Sequence, residues 1–174
     1  MDFIENTRVE LLDLTNKKQY LDYENLFVKY FLEFEFDEKE NNIKIVEIAE
    51  NFAEMTRKHK NRWIILLYAG SECIGFSFTQ VCNFEKIDYL TNPNPEMEIG
   101  SEEWAFLREF FIIPTFRKKG LGKFLHNSTI KKIKQYNVSE ILLTSDATDF
   151  WIKLGYQKIN LKGFNDLEIL KLYI

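Results

Sequence analysis

The chain has 174 residues, 45% of them hydrophobic and 16% aromatic, enough for one full core and a single globular domain over 1–174. A net charge of −4 and a pI near 5.4 argue against nucleic acid as the principal partner and suit a small cationic substrate better. The two cysteines, Cys73 and Cys82, lack CxxC spacing, so neither a disulfide framework nor a metal site is expected. No basic stretch precedes an apolar run at the N-terminus and no segment approaches membrane-spanning length, so the expectation is a cytoplasmic protein with no membrane partner.

In chain order, 9–14 reads as a strand, with Thr15 or Asn16 placed to cap a helix beginning at Lys17. From Lys17 to about Phe36, Tyr20, Leu21, Tyr23, Leu26, Phe27, Tyr30, Phe31 and Phe34 recur at spacings of three and four, predicting that this helix has an aromatic face. An acidic segment (Glu33, Glu35, Asp37, Glu38, Glu40) leads into a second amphipathic helix over 43–58. The apolar run 63–69 reads as a buried strand, Gly70-Ser71 as a turn, and 72–82 as an alternating strand with Ile74, Phe76 and Phe78 on one face. Pro93 and Pro95 mark 83–103 as a long polar loop of the kind that often serves as a lid. A strand over 104–113 ends at Pro114. A helix comes after Gly120, with Leu121, Leu125, Ile133 and Tyr136 on a common face. A short strand at 141–144, a short helix at 147–154 stopped by Gly155, and strands at 156–161 and 167–173 complete the chain. The order β-α-α-β-β-β-α-β-α-β-β predicts an α/β fold with one mixed sheet flanked by helices, and a right-handed parallel crossover from 104 to 144.

The richest stretch is Arg117-Lys118-Lys119-Gly120-Leu121-Gly122, at a strand-to-helix junction. Unpaired backbone N–H groups and the positive end of the helix dipole meet there, and glycine admits close approach by an anion. A Walker-type loop needs Ser or Thr after Gly122-Lys123, where Phe124 stands; a dinucleotide fingerprint needs glycine where Leu125 stands. A third pattern fits: Arg or Gln, two residues, Gly, any residue, Gly or Ala. Phe111-Ile112-Ile113-Pro114 lies upstream of it and Phe150-Trp151-Ile152-Lys153-Leu154-Gly155-Tyr156 downstream. In these residues the chain resembles the GCN5-related N-acetyltransferase (GNAT) family, specifically over about 104–160.

The resemblance implies a sheet splayed between its fourth and fifth strands. It implies acetyl-CoA as cosubstrate and no metal, with the pyrophosphate held by Arg117 and the loop Lys118, Lys119, Gly120, Leu121, Gly122 and Lys123. The pantetheine arm would lie along Phe110, Phe111 and Ile112. It further implies direct attack of an amine on the thioester, for which a carboxylate must take a proton; Glu109, an acid in an apolar run, is the first candidate and Glu103 the second. Many relatives carry a tyrosine acid where this chain has Trp151, whose N–H can donate a hydrogen bond but not serve as an acid. Trp151 is therefore either a cofactor contact or a core aromatic, and Ser145, with Asp146, either a cofactor contact or a helix cap.

His59 and His126 lack a metal or nucleophile partner in sequence and read as surface residues; a Cys73–His126 acyl-transfer pair is formally open. On the acceptor side, Tyr20, Tyr23, Phe27, Tyr30, Phe34 and Tyr89 occur with Glu33, Glu35, Asp37, Glu96 and Glu98, a combination that attracts cations unless the aromatics are simply the core face of a helix. The expected acceptor is a small, cationic primary amine, with a peptide or protein amine as an alternative. A CoA-binding sensor that has lost catalysis is the competing class. Acetyl against longer acyl donors, and the oligomeric state, with a homodimer among the options, stay open.

Overall fold

A computed structural model describes residues 6–33, 38–82, 104–162 and 167–174, with backbone alone at 38–43, 82 and 160–162. The elements are β1 (Thr7–Leu11), α1 (Lys17–Leu32), α2 (Glu38–Lys58), β2 (Arg62–Ala69), β3 (Glu72–Cys82), β4 (Trp104–Ile112), α3 (Leu121–Ile133), β5 (Glu140–Ser145), α4 (Thr148–Lys153), β6 (Gln157–Lys162) and β7 (Glu168–Tyr173). Their order is the one expected from the sequence. They form an α/β fold with a seven-stranded mixed sheet in the order β1-β2-β3-β4-β5-β7-β6. β4 and β5 run parallel, joined by the crossover through α3; β1/β2, β5/β7 and β6/β7 are antiparallel. The β4–β5 register covers only Ala105↔Ile141 and Phe106↔Leu142, although both strands run on beyond it. The expected loop at 83–103 lies outside the described residues, as do Phe34, Glu35, Asp37, Tyr89, Glu96 and Glu98.

The chain divides into two compact units, Met1–Phe78 with Glu109–Thr129, and Thr79–Arg108 with Ile130–Ile174. In the first, Asn16 caps α1 as its sequence position suggests, its side chain accepting from the N–H groups of Lys18 (3.1 Å) and Gln19 (3.2 Å). The helix ends at Leu32, a turn earlier than the periodicity suggested, with Glu33 as its C-cap. Tyr23, Leu26 and Phe27, at spacings of three and four, are buried against Ala49 and Phe52 of α2 and Phe76 of β3. Phe27 lies at the centre, with ring centroids 5.4 Å from Phe52 and 5.8 Å from Phe76. Burying one such side chain stabilises by about 2–3 kcal/mol. This cluster is the platform under the end of β4, because Phe76 also meets Phe111 of that strand.

In the second unit, β5 pairs with β7 over six residues from Glu140↔Tyr173 to Ser145↔Glu168. Lys171 and Glu140 form an ion pair of 3.0 Å, largely shielded from solvent, with the ammonium also over the rings of Trp104 (5.3 Å) and Tyr173 (5.4 Å). α4 ends in a Schellman motif. Gly155, at φ 97°, donates to the Ile152 carbonyl (2.9 Å) and Tyr156 donates to the Trp151 carbonyl (3.1 Å). None of the described helices is long and apolar enough to cross a membrane.

Candidate active site

Proline at 114 cannot continue the ladder of β4, and Pro114–Phe116 closes into a single 3-10 turn. The chain then reverses through two left-handed residues, Lys118 at φ 61° and Gly120 at φ 81°. α3 opens with the Phe124 N–H on the Gly120 carbonyl (3.1 Å), so the N–H groups of Leu121, Gly122 and Lys123 lie ahead of the first helical rung. No acid occupies the first turn of α3, and Lys118, Lys119 and Lys123 are exposed beside it. Leu121 is 1% exposed and fixes the helix start to the core. The ammonium of Lys119 folds back onto the Thr115 carbonyl (2.8 Å) and over the Phe116 ring (5.2 Å), bracing the turn.

Arg117 faces the protein. Its Nε donates to the Ile112 carbonyl (2.8 Å), and Nη1 and Nη2 donate to the two carboxylate oxygens of Glu33, both at 2.6 Å. The guanidinium also lies 5.5 Å from the centre of the Phe111 ring. Arg117 is thus, like Lys119 and Ser145, a residue expected to hold the cofactor whose side chain has contacts within the protein.

Along β4, Phe111 and Ile112 are buried, while Arg108, Glu109 and Phe110 are half-buried. β3 passes so close that a Cβ on Gly75 would stand 2.7 Å from the Phe111 carbonyl oxygen. Glu109 accepts a short hydrogen bond at Oε2 from the phenol of Tyr30. Tyr30 is itself fixed by ring contacts with Phe76 (5.6 Å) and Phe111 (5.5 Å). Burial, with the Glu109 charge adding to it, pushes the Tyr23 phenol well above its ordinary pKa. Glu103 lies outside the described residues.

Two expectations about histidine and cysteine resolve differently. His59 is exposed, but His126 is 4% exposed and not a surface residue. Burial pulls its pKa down to about 4, so it is neutral at pH 7. Its place is set by spacing: with Gly122, Thr129 and Ile133 it completes an i, i+4, i+7, i+11 stripe. That stripe is the signal that would have revealed it. The Cys73 thiol is pushed up to about 12, chiefly by burial, and supplies no thiolate for an acyl-transfer pair with His126.

In the second unit, Ser145 Oγ accepts from the Ala147 N–H (3.0 Å), stabilising the bend before α4 rather than acting as the helix cap; the cap residue is Ala147. Trp151 is buried, with its ring 5.4 Å from Tyr156 and 4.8 Å from Phe150. The aromatic-acidic acceptor surface is thinner than the sequence suggested, because Tyr23 and Phe27 are fully buried in the core and Tyr30 is committed to Glu109.

The loop fits a diphosphate-bearing acyl carrier. Its open N–H groups, two left-handed residues, acid-free first turn and exposed lysines all favour an anion, and the groups belong to one compact unit with Glu109. A family model described as the acetyltransferase (GNAT) family matches residues 21–156. No curated protein matches the chain by sequence. Among solved structures, the PaiA N-acetyltransferase of Thermoplasma acidophilum in complex with coenzyme A is 15% identical, with a TM-score of 0.68 over 97% of this chain and 99% of that one. Aminoglycoside 6'-acetyltransferase type Ii is 18% identical, with a TM-score of 0.65 over 95% and 96% of the two chains. A chain of the NatC complex bound to Gag peptide and CoA is 13% identical, with a TM-score of 0.62 over 97% and 99%. The likeness to these structures is one of fold, and the family model spans most of the chain: the protein belongs to the GNAT family of acetyltransferases.

Proposed function

We propose that the protein is a single-domain, cytoplasmic N-acetyltransferase that moves an acetyl group from acetyl-CoA to the primary amine of a small molecule. The observation that carries this reading is the Tyr30–Glu109 hydrogen bond, which holds an acid on β4 one residue before the stretch expected to receive the pantetheine arm. Backbone N–H groups of Leu121, Gly122 and Lys123, with the ammonium groups of Lys118 and Lys123, would hold the pyrophosphate. Backbone groups of Phe110 to Ile112 would align the arm. When bound, acetyl-CoA supplies an acetyl group activated as a thioester. An alkyl ammonium, with a pKa near about 10.4, must shed a proton before its nitrogen can bond to the acetyl carbon. Glu109 accepts that proton directly or through one water. Tyr30 fixes the orientation of the carboxylate for this task. The C–N bond forms and the C–S bond breaks, and the departing thiolate is balanced by the second proton that the nitrogen sheds on becoming an amide.

Small amines are favoured over peptides by the acidic balance of the chain, and aminoglycoside 6'-acetyltransferase type Ii shares the fold. The buried Trp151 favours one competing reading, a CoA-binding sensor without turnover. The test is thiol release from acetyl-CoA across a panel of diamines, polyamines, aminoglycosides and peptides, in parallel with calorimetric CoA binding. Turnover on a small amine that is lost in Glu109→Gln supports the proposal. CoA binding without turnover on any amine supports the sensor, and no CoA binding removes both.

A further inference from the structure

We infer that Arg117, the leading residue of the glycine-loop motif, is a positioning residue that acts through Glu33 and does not itself bind the pyrophosphate. This rests on the reading of the loop as a CoA site. The geometry is a fork-to-fork pair: both terminal nitrogens of Arg117 reach both oxygens of Glu33 at 2.6 Å, while Nε takes the Ile112 carbonyl at 2.8 Å. These contacts take three of the five guanidinium N–H groups and hold the head against Glu33 and the Ile112 carbonyl, although the side chain keeps 41% exposure. A carboxylate beside a pyrophosphate loop would repel the ligand; Arg117 cancels that charge, and is cancelled by it. Glu33 also stands at the C-cap of α1, where the helix dipole disfavours an acid, so it is stable there because of its partner.

The consequence is a brace at the last turn of α1. Tyr30 holds Glu109, and Glu33, three residues on along the same helix, holds the residue that starts the donor loop. One helix end thus ties the acid on β4 to the loop before α3, fixing the backbone at 117 from which the left-handed turns at Lys118 and Gly120 are launched. Pyrophosphate affinity then depends on a residue with no contact to the ligand.

The sign of one substitution separates this from direct binding. If Arg117 were a phosphate ligand held back by Glu33, Glu33→Gln would free it and CoA would bind equally or more tightly. If Arg117 positions the loop, Glu33→Gln weakens CoA by about two- to fivefold, the range of a well-formed, partly exposed pair. Calorimetry with CoA on the whole chain, at a temperature well below the melting point of each variant, reads this directly. Arg117→Lys, which keeps the charge but loses the fork, is expected to weaken CoA as much as Arg117→Gln does. The double variant Glu33→Gln/Arg117→Gln is expected to be no weaker than Arg117→Gln alone, since both break one contact. In turnover, the KM for acetyl-CoA rises while kcat and the KM for the amine stay within about twofold. Tighter or unchanged CoA binding by Glu33→Gln, rescue by Arg117→Lys, or additive losses would each overturn the inference. A wild-type chain that binds no CoA would instead overturn the reading of the loop.

Discussion

The phenol of Tyr30 donates to Oε2 of Glu109 across 79 positions of sequence, joining the last turn of α1 to the middle of β4. An acid inside an otherwise apolar strand costs stability unless it is solvated or hydrogen-bonded, and the tyrosine supplies part of that satisfaction while leaving the carboxylate half-buried. Glu109→Gln keeps the shape and the hydrogen bond but removes the proton acceptor. Its expected effect is a fall in kcat by about 10²–10⁴ with CoA affinity unchanged. Tyr30→Phe keeps the ring contacts and loses only the restraint, so kcat should fall several-fold, clearly less than in Glu109→Gln. Steady-state thiol release beside calorimetric CoA binding checks both. A Glu109→Gln enzyme with undiminished kcat would sink the assignment.

Gly75 carries a different kind of constraint. A methyl group there would meet the backbone carbonyl of Phe111 at 2.7 Å and Ile112 Cδ1 at 3.1 Å, and a carbonyl in a strand cannot swing aside as a side-chain tip can. Gly75→Ala should cost about 1–3 kcal/mol through overpacking, read as a lowered denaturation midpoint at constant m-value. Because the displaced strand is the one expected to align pantetheine, CoA affinity should fall with it. Gly70, left-handed at φ 60° but with open space around its Cβ position, provides the contrast: Gly70→Asn should cost under about 1 kcal/mol.

His126 predicts a pH dependence whose sign is fixed by its buried state. Its folded pKa, near 4, lies below the ordinary 6.5, mainly through desolvation, opposed by a hydrogen bond with Asn127. Between these values the unfolded chain binds the proton and the folded chain does not, so stability falls as pH drops through this window and is fully present above about 6.5. The full difference is on the order of 3 kcal/mol. Melting temperatures of the wild type should therefore decline from pH 7 to pH 5 more steeply than those of His126→Phe. Parallel curves for the two proteins would show that His126 does not carry the dependence.

The same residue shows where sequence reading stops. The face of α1 was legible because Tyr23, Leu26 and Phe27 are apolar and bury at helical spacing, and Asn16 and Gly155 were legible because capping chemistry is local. The glycine loop was legible as well, since Pro114, Gly120 and Gly122 dictate backbone shape within a few residues. His126 was misread because a polar residue on a buried stripe looks like the edge of a solvated face. The partners of Glu109 and Arg117 were hidden for a further reason: Tyr30 and Glu33 lie 79 and 84 positions away, and only folding chooses among the many tyrosines and acids of the chain. Side-chain pairing of this kind has no local signature.

Trp151 occupies the C3 position of the Schellman motif that ends α4, and Tyr156 its C″ position, the two residues that customarily make the apolar contact across such a terminus. The motif gives the sequence Trp151-Ile152-Lys153-Leu154-Gly155-Tyr156 a structural purpose that needs no cofactor. Burial pushes the Tyr156 phenol upward, so it too is a packing group and stays protonated across the neutral range. Trp151→Ala should then cost about 3–5 kcal/mol, and Trp151→Phe, which preserves a ring against Tyr156, far less. Gly155→Ala, forcing a side chain onto φ 97°, should cost about 1–2 kcal/mol. Under this reading all three variants that remain folded bind CoA as the wild type does. A tenfold loss of CoA affinity in Trp151→Phe, with stability little changed, would make the indole a cofactor contact instead.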